Sequence, residues 1–262
     1  MNILEQIAQK TADRIEEEKR KVPLEQLKEQ IRPGSSGFLE ALKRPGMSYI
    51  CEVKKASPSK GLIAPDFPYL SIALEYQEAG AAAISCLTEP FWFLGADRYL
   101  KEITENVTIP VLRKDFTVDE YMIWQARALG AEAVLLICAI LEKERLRAYR
   151  QLAEELGMDA LVEAHDEKEV EMAANTGARI IGVNNRDLRS FTVDMNNSIR
   201  LRALAPAETV FVSESGIRTA QDIRLLYENH VDAVLVGETL MRSPEKKKML
   251  QELNGGPLHG SN

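Results

Sequence analysis

Cysteine and histidine are scarce, with three of each in 262 residues. Three thiols cannot build a disulfide framework, and they suit a reducing, cytoplasmic setting. The histidines are too few and too scattered to spell out a metal site, so no metal is expected. Long apolar runs are missing as well; none approaches the roughly 18 residues of a bilayer-spanning helix, so no membrane role is expected. The opening MNILEQIAQKTADRIEEEKRKV is charged throughout and lacks the apolar centre of a secretory signal. There is no surplus of positive charge: 33 Lys+Arg against 40 Asp+Glu leave a net charge of −7. That balance argues against a nucleic-acid partner. What is present is 45% hydrophobic and 28% charged residues, the proportions of a globular chain. Its length suffices for a sizeable core.

The chain opens with a helical texture. Ile3, Leu4, Ile7, Ala8, Ala12 and Ile15 recur at spacings of three and four, which predicts one apolar helix face. The Glu16-Glu17-Glu18-Lys19-Arg20-Lys21 run predicts a solvated face. Pro33, Gly34, Ser35, Ser36 and Gly37 mark a break. Eight short apolar runs follow, beginning near Ser48, Ala82, Val111, Ala133, Ala160, Ile180, Val210 and Ala233, each followed by a helix-period stretch. Continuous Val/Ile/Leu runs fit parallel strands covered by helices on both sides. Eight βα units exceed the five or six strands usual in a doubly wound sheet and fit a closed (β/α)8 barrel. The whole of 1–262 is therefore expected to be one α/β barrel domain, with 1–47 as an N-terminal helical extension. A recurring Gly-Ala before strands, at Gly80, Gly130 and Gly177, predicts a left-handed helix cap repeated every two βα units. Asn229-His230-Val231 is a version without the glycine, and Leu156-Gly157 repeats the cap before strand five.

A barrel of this kind carries its chemistry at the C-terminal ends of its strands. Glu52 and Lys54 share a face of strand one by the period of two. Lys114 follows strand three, Glu163 closes strand five and Asn184 closes strand six. A barrel aims all five at one mouth, where buried lysines and glutamates shift one another's proton affinity into a range useful for acid–base catalysis. Ser215-Gly216 after strand seven and Gly237-Glu238 after strand eight lie where barrels commonly bind phosphate, and Ser57-Pro58-Ser59-Lys60-Gly61 adds hydroxyls and a cation. Cys51, Cys86 and Cys138 fall in or beside apolar strands and read as small core residues. His165 reads as the start of the next helix. Phe91-Trp92-Phe93 is either an exposed binding loop or a loop packed over the rim, bordering the pocket.

With those residues in view, the chain resembles the indole-3-glycerol phosphate synthase family over essentially its whole length. The stretches that carry the resemblance are Glu52-Val53-Lys54-Lys55-Ala56-Ser57-Pro58-Ser59, Leu112-Arg113-Lys114-Asp115-Phe116, Val162-Glu163, Gly182-Val183-Asn184-Asn185-Arg186-Asp187-Leu188, Ser213-Glu214-Ser215-Gly216-Ile217 and Val236-Gly237-Glu238-Thr239-Leu240-Met241. The N-terminal helices match as well. The resemblance implies a lyase of tryptophan biosynthesis that uses no cofactor and takes a phosphorylated small-molecule substrate, 1-(2-carboxyphenylamino)-1-deoxyribulose 5-phosphate. It implies Lys114 as general acid and Glu163 as base, with Lys54 as a second acid or a cation that holds substrate charge. Glu52 and Asn184 would orient them. Phosphate would fall to Ser57, Ser215, Gly216, Gly237 and the backbone of Glu238, and the substrate carboxylate to Arg186. Phe116, Leu135 and Leu188 would line the aromatic pocket. A barrel isomerase acting on phosphoribosyl anthranilate and a catalytically silent phosphate-ligand sensor are the rival readings, since fold alone separates neither.

Overall fold

Parallel pairing runs unbroken from each strand to the next and closes on itself. A computed structural model describes residues 2–31, 34, 36–187 and 191–255. Leu188, Pro33, Ser35 and the tail from 256 onward lie outside the described residues. The eight barrel strands are β1 (Ser48–Val53), β2 (Ala83–Leu87), β3 (Val111–Lys114), β4 (Ala133–Ile137), β5 (Asp159–Ala164), β6 (Ile180–Asn184), β7 (Val210–Glu214) and β8 (Ala233–Val236). They form a closed barrel in chain order, sealed where Ser48 pairs with Ala233 and Cys51 with Val236. The helices are α1 (Ile3–Lys21), α2 (Leu24–Gln30), α3 (Phe38–Leu42), α4 (Tyr69–Glu78), α5 (Asp97–Asn106), α6 (Glu120–Ala128), α7 (Lys143–Glu155), α8 (Glu167–Asn175), α9 (Asn196–Arg202), α10 (Ala220–Glu228), α11 (Glu238–Arg242) and α12 (Lys246–Leu253).

Several strands outrun the apolar runs that announce them. β3 takes in Arg113 and Lys114, β5 reaches back to Asp159 and on to Ala164, and β7 ends only at Glu214. Backbone pairing continues through the charged tips, with Leu87 opposite Lys114, Ile137 opposite Glu163 and Asn184 opposite Glu214. Pairing belongs to the peptide groups, so a strand does not stop where its side chains turn polar.

Alternation divides each strand between two cores. Ile50, Leu112, Leu135, Leu161, Ile180, Val212 and Leu235 point inward and fill the barrel, and Phe38, Leu39 and Leu42 of α3 plug its N-terminal end. Asp159, buried there, accepts from the Leu39 N–H at 2.8 Å and from Arg179 Nη2 at 2.8 Å, which fixes α3 beneath the barrel. Outward residues such as Cys51, Cys86, Val162, Ile181 and Phe211 pack under the helices. Cys138 joins that outer core, and burial pushes all three thiols well above the ordinary cysteine value. The repeated cap is left-handed at Gly80 (φ 90°), Gly130 (φ 87°), Gly157 (φ 72°) and Gly177 (φ 82°). His230 adopts the same conformation at φ 62°, a strain of about 1–2 kcal/mol for a residue with a Cβ.

Helix α1 lies across the C-terminal mouth. Its buried stripe is Leu4, Ile7, Thr11 and Ile15, so Thr11 takes a place the spacing assigned to Ala8 and Ala12. The charged run at its end is not wholly solvated. Lys19 Nζ reaches Asp119 at 2.7 Å, and Gln125 Nε2 donates to Glu18 Oε2 at 2.9 Å, tethering α1 to the start of α6 and its flank. Among the described residues no helix is long and apolar enough to cross a membrane.

Candidate active site

The inward positions one step above the aliphatic core are polar on five of the eight strands, and Gly237 holds that place on β8. Two residues beyond Ile50 stands Glu52, and Lys54 follows two further on. By the same step Leu112 leads to Lys114, Leu161 to Glu163, Gly182 to Asn184, Val212 to Glu214 and Leu235 to Gly237. The barrel thus gathers the five residues singled out in the sequence, and adds Glu214. Lys114 Nζ lies 2.7 Å from Glu214 Oε2 and 3.1 Å from Glu163 Oε2. Lys54 Nζ is in close contact with Glu52 Oε2. Glu52, Glu163 and Glu214 are all buried.

Three carboxyls therefore face two ammonium groups in a site withdrawn from water. Burial alone would lower the proton affinity of Lys114, but Glu214, Glu163 and Glu52 outweigh it and hold the ammonium well above the ordinary lysine value. Burial likewise disfavours the Glu163 carboxylate, yet Lys114, His165 and a hydrogen bond from Asn184 keep it below the usual glutamate range. Glu214 carries the surplus. Desolvation, with repulsion from Glu163 and Glu52, pushes it up to about 7 despite Lys114, and its Oε1 is buried without a hydrogen-bond partner.

Two glycines make the space these carboxylates occupy. A Cβ on Gly182 would lie 2.3 Å from Glu214 Oε1, and one on Gly237 would lie 2.1 Å from Glu52 Oε2 and 2.9 Å from Lys54 Nζ. Above the cluster opens a cavity of about 660 Å³. Leu135 and Ile137 form its floor, Phe93 and Phe116 one wall, and Ile3, Leu4 and Ile7 of α1 the roof. Phe93 and Phe116 pack with ring centroids 5.9 Å apart. The aromatic loop is held by Glu89, whose carboxylate accepts the N–H groups of Phe91, Trp92 and Phe93 at 2.9, 2.7 and 2.9 Å. Phe93 lines the cavity, whereas Phe91 is 48% exposed.

Ser57, Ser215, Gly216, Gly237 and Glu238 line one end of the cavity, close to Lys54. Ser215 and Gly216 are both left-handed, at φ 68° and 90°. The strain at Ser215 is held by buried Asn185, whose Nδ2 donates to the Ser215 carbonyl at 3.1 Å and to Ser213 Oγ at 3.0 Å. The Glu238 carboxylate turns to Arg242 Nε at 3.1 Å and Lys60 Nζ at 3.4 Å. Arg186 also lines the cavity; its Nη1 donates to the Phe191 carbonyl at 3.2 Å and its backbone N–H to Asn184 Oδ1 at 3.0 Å.

His165 falls at the helix start that the sequence suggests, and its side chain adds a contact the sequence reading did not use. His165 precedes the cap of α8, Asp166, and its side chain turns back, with Nε2 3.5 Å from Glu163 Oε1. Glu214, Asn185 and Gly182 were not singled out from sequence either. Glu214 had a usable signal, since it stands two residues beyond inward Val212 just as Glu163 stands beyond Leu161. Among the described residues no group of His, Cys, Asp or Glu is clustered so as to hold a metal ion.

A closed (β/α)8 barrel with a buried lysine–glutamate cluster under a roofed cavity at its C-terminal mouth has the architecture of a barrel enzyme. Residues 4–253 match the family model described as "Indole-3-glycerol phosphate synthase", and the chain belongs to that family. It is 52% identical over 257 residues to the indole-3-glycerol phosphate synthase of Ruminiclostridium cellulolyticum, covering 97% of this chain and 99% of that one. To the enzyme of the same name from Endomicrobium trichonymphae it is 57% identical over 216 residues, 82% of this chain and 84% of the relative. Among solved structures, a 3-hexulose-6-phosphate synthase superposes with a TM-score of 0.65 at 13% identity, covering 80% of this chain and 99% of that one. That likeness is one of fold.

Proposed function

We propose that this chain forms indole-3-glycerol phosphate from 1-(2-carboxyphenylamino)-1-deoxyribulose 5-phosphate by general acid–base catalysis at the barrel mouth. Membership of the family over 4–253 supports the reaction. The observation that carries the mechanism is the contact of Lys114 with both Glu163 and Glu214 beneath the cavity.

In the first step the ring carbon bearing the carboxylate attacks the C2′ carbonyl, and Lys114 delivers a proton to the carbonyl oxygen as it becomes an alcohol. An alkoxide is a stronger base than any lysine amine, so even an ammonium held above its usual value donates to it. Loss of carbon dioxide restores the aromatic ring. Dehydration follows. The C2′ hydroxyl leaves as water with a proton from an acid, Lys54 or Lys114, and Glu163 takes a proton from the new five-membered ring. Glu52 orients Lys54, and Asn184 orients Glu163. Glu214, poised near neutrality beside Lys114, is suited to return a proton to it between turnovers.

The phosphate is assigned to the backbone N–H groups of Gly216, Gly237 and Glu238, with Ser57, Ser215 and Lys54 beside them. Arg186 is assigned to the substrate carboxylate. Phe116 and Leu135 are assigned to the aromatic ring. One barrel domain spanning 1–262, with 1–47 as its extension, and a cytoplasmic setting complete the reading. Purified protein mixed with the substrate, without added metal, is expected to release carbon dioxide and an indole-fluorescent product in equal amounts. Tight binding without fluorescence would instead identify a phosphate-ligand sensor and contradict the catalytic reading.

A further inference from the structure

His165 stands directly behind Glu163. Its Nδ1 lies 3.1 Å from Glu169 Oε2, and its backbone N–H donates to that same oxygen at 2.8 Å. Asn197 Nδ2 fixes its carbonyl at 3.1 Å. The ring is therefore anchored on its outer side by α8, and its backbone by α8 and α9. On its inner side Nε2 is buried, makes no hydrogen bond, and points to Glu163 Oε1 at 3.5 Å. A buried polar nitrogen without a partner is costly, and here the outer anchors hold it in place. Glu163 Oε2, the other oxygen, receives Lys114. The result is a file of four groups, Glu169, His165, Glu163 and Lys114, leading from the helix layer into the cavity.

We propose that His165 is a positioning residue for Glu163: as an imidazolium braced by Glu169, it fixes the Oε1 edge of that carboxylate and keeps it ionised, so that Oε2 is presented to Lys114 and the substrate. This rests on the assignment of Glu163 as base. The charged groups that face the ring are Glu169 from α8, Glu163 from β5 and Glu214 from β7, with Lys114 beyond Glu163. Burial favours the neutral ring, but these carboxylates outweigh it and raise its proton affinity above the ordinary histidine value. A cation at that place lowers the proton affinity of Glu163, the condition a base needs to stay ready near neutral pH.

The test compares His165→Ala, His165→Gln, Glu169→Gln and Glu163→Gln in the full chain, with kcat and KM followed from about pH 3 to 9 by product fluorescence and folding checked by circular dichroism at each pH. His165→Ala is expected to lower kcat about tenfold, to leave KM nearly unchanged, and to move the acid limb of the kcat profile to higher pH. His165→Gln, which restores a donor near Nε2 without the charge, is expected to recover kcat at pH 8 while keeping the displaced limb. Glu169→Gln leaves the ring in place without its brace and is expected to move the limb the same way, which covers the case of a His165→Ala chain that does not fold. An acid limb that stays where it is in these variants overturns the proposal, whether kcat is unchanged or falls evenly at every pH. Glu163→Gln separates the two assignments: near-normal turnover would remove Glu163 as base, whereas an inactive Glu163→Gln with an unmoved limb in the others removes His165 alone.

Discussion

The Lys114 ammonium and the Glu214 carboxyl meet at 2.7 Å although they sit on β3 and β7, opposite staves of the barrel. The contact crosses the whole mouth, and Gly182 leaves the space that permits it. Glu214 bears the electrostatic cost, with its proton affinity pushed up to about 7 from an ordinary 4.5.

Glu214→Gln is therefore expected to trade activity for stability. The folded chain holds this proton between about pH 4.5 and 7, where the unfolded chain has released it. Stability from this group is thus greatest below that window and declines as pH rises through it. Neutral glutamine removes the cost of the ionised form. Thermal melts should show the variant above the parent at pH 8, with the gap shrinking toward pH 5, while kcat falls. A variant less stable than the parent at pH 8 would contradict the electrostatic assignment.

Arg14 links the roof to β3. Its Nη2 lies 2.9 Å from Asp115 Oδ2, one residue beyond Lys114, and Thr88 Oγ1 donates to the same carboxylate at 2.6 Å. Burial disfavours the Asp115 charge, but Arg14 and Arg113 outweigh it and hold the carboxyl below the usual aspartate range. The stability it contributes is present above the unfolded aspartate value, near 4, and is lost as pH falls through the folded one. Arg14→Ala should cost about 3 kcal/mol in urea denaturation at pH 7. It should cost less at pH 3, and KM should rise as Ile3, Leu4 and Ile7 loosen over the cavity. An equal loss at both pH values would show that the arginine acts through packing alone.

How much of this was legible in the sequence depends on what signals each element. The eight strands announce themselves through their apolar runs, and Glu52, Lys54, Lys114, Glu163 and Asn184 through their places at the ends of those runs. Glu214 also stands at the end of its strand, but only the closed barrel shows that it reaches Lys114 across the mouth. His165 reads as a helix start, although it follows Glu163 by two residues, the spacing that puts both on one face of an extended chain. Thr11 was missed because a threonine in an apolar stripe carries no hydrophobic signal. The Arg14–Asp115 contact joins residues 101 apart in sequence, beyond the reach of any local pattern.

Gly182→Ala tests the space beneath the cluster. Its Cβ would stand 2.3 Å from Glu214 Oε1 and 3.1 Å from Leu161 Cδ1, so the carboxylate must move away from Lys114. Displacing a catalytic contact by about 1 Å commonly costs about 10²-fold. Steady-state kinetics should show a fall of about that size in kcat, with KM little changed because Gly182 lies below the cavity. A parental kcat would mean that the exact seat of Glu214 is immaterial.

The most direct measurement is the turnover number of Lys114→Ala at saturating substrate, followed by indole fluorescence on protein whose fold is verified by circular dichroism. Loss of a general acid commonly costs roughly 10²–10⁴-fold. With Lys114 as the proton donor at the C2′ oxygen, kcat should fall at least into that range. A folded Lys114→Ala enzyme that turns over at nearly the parental rate would remove the lysine from the chemistry and contradict the mechanism.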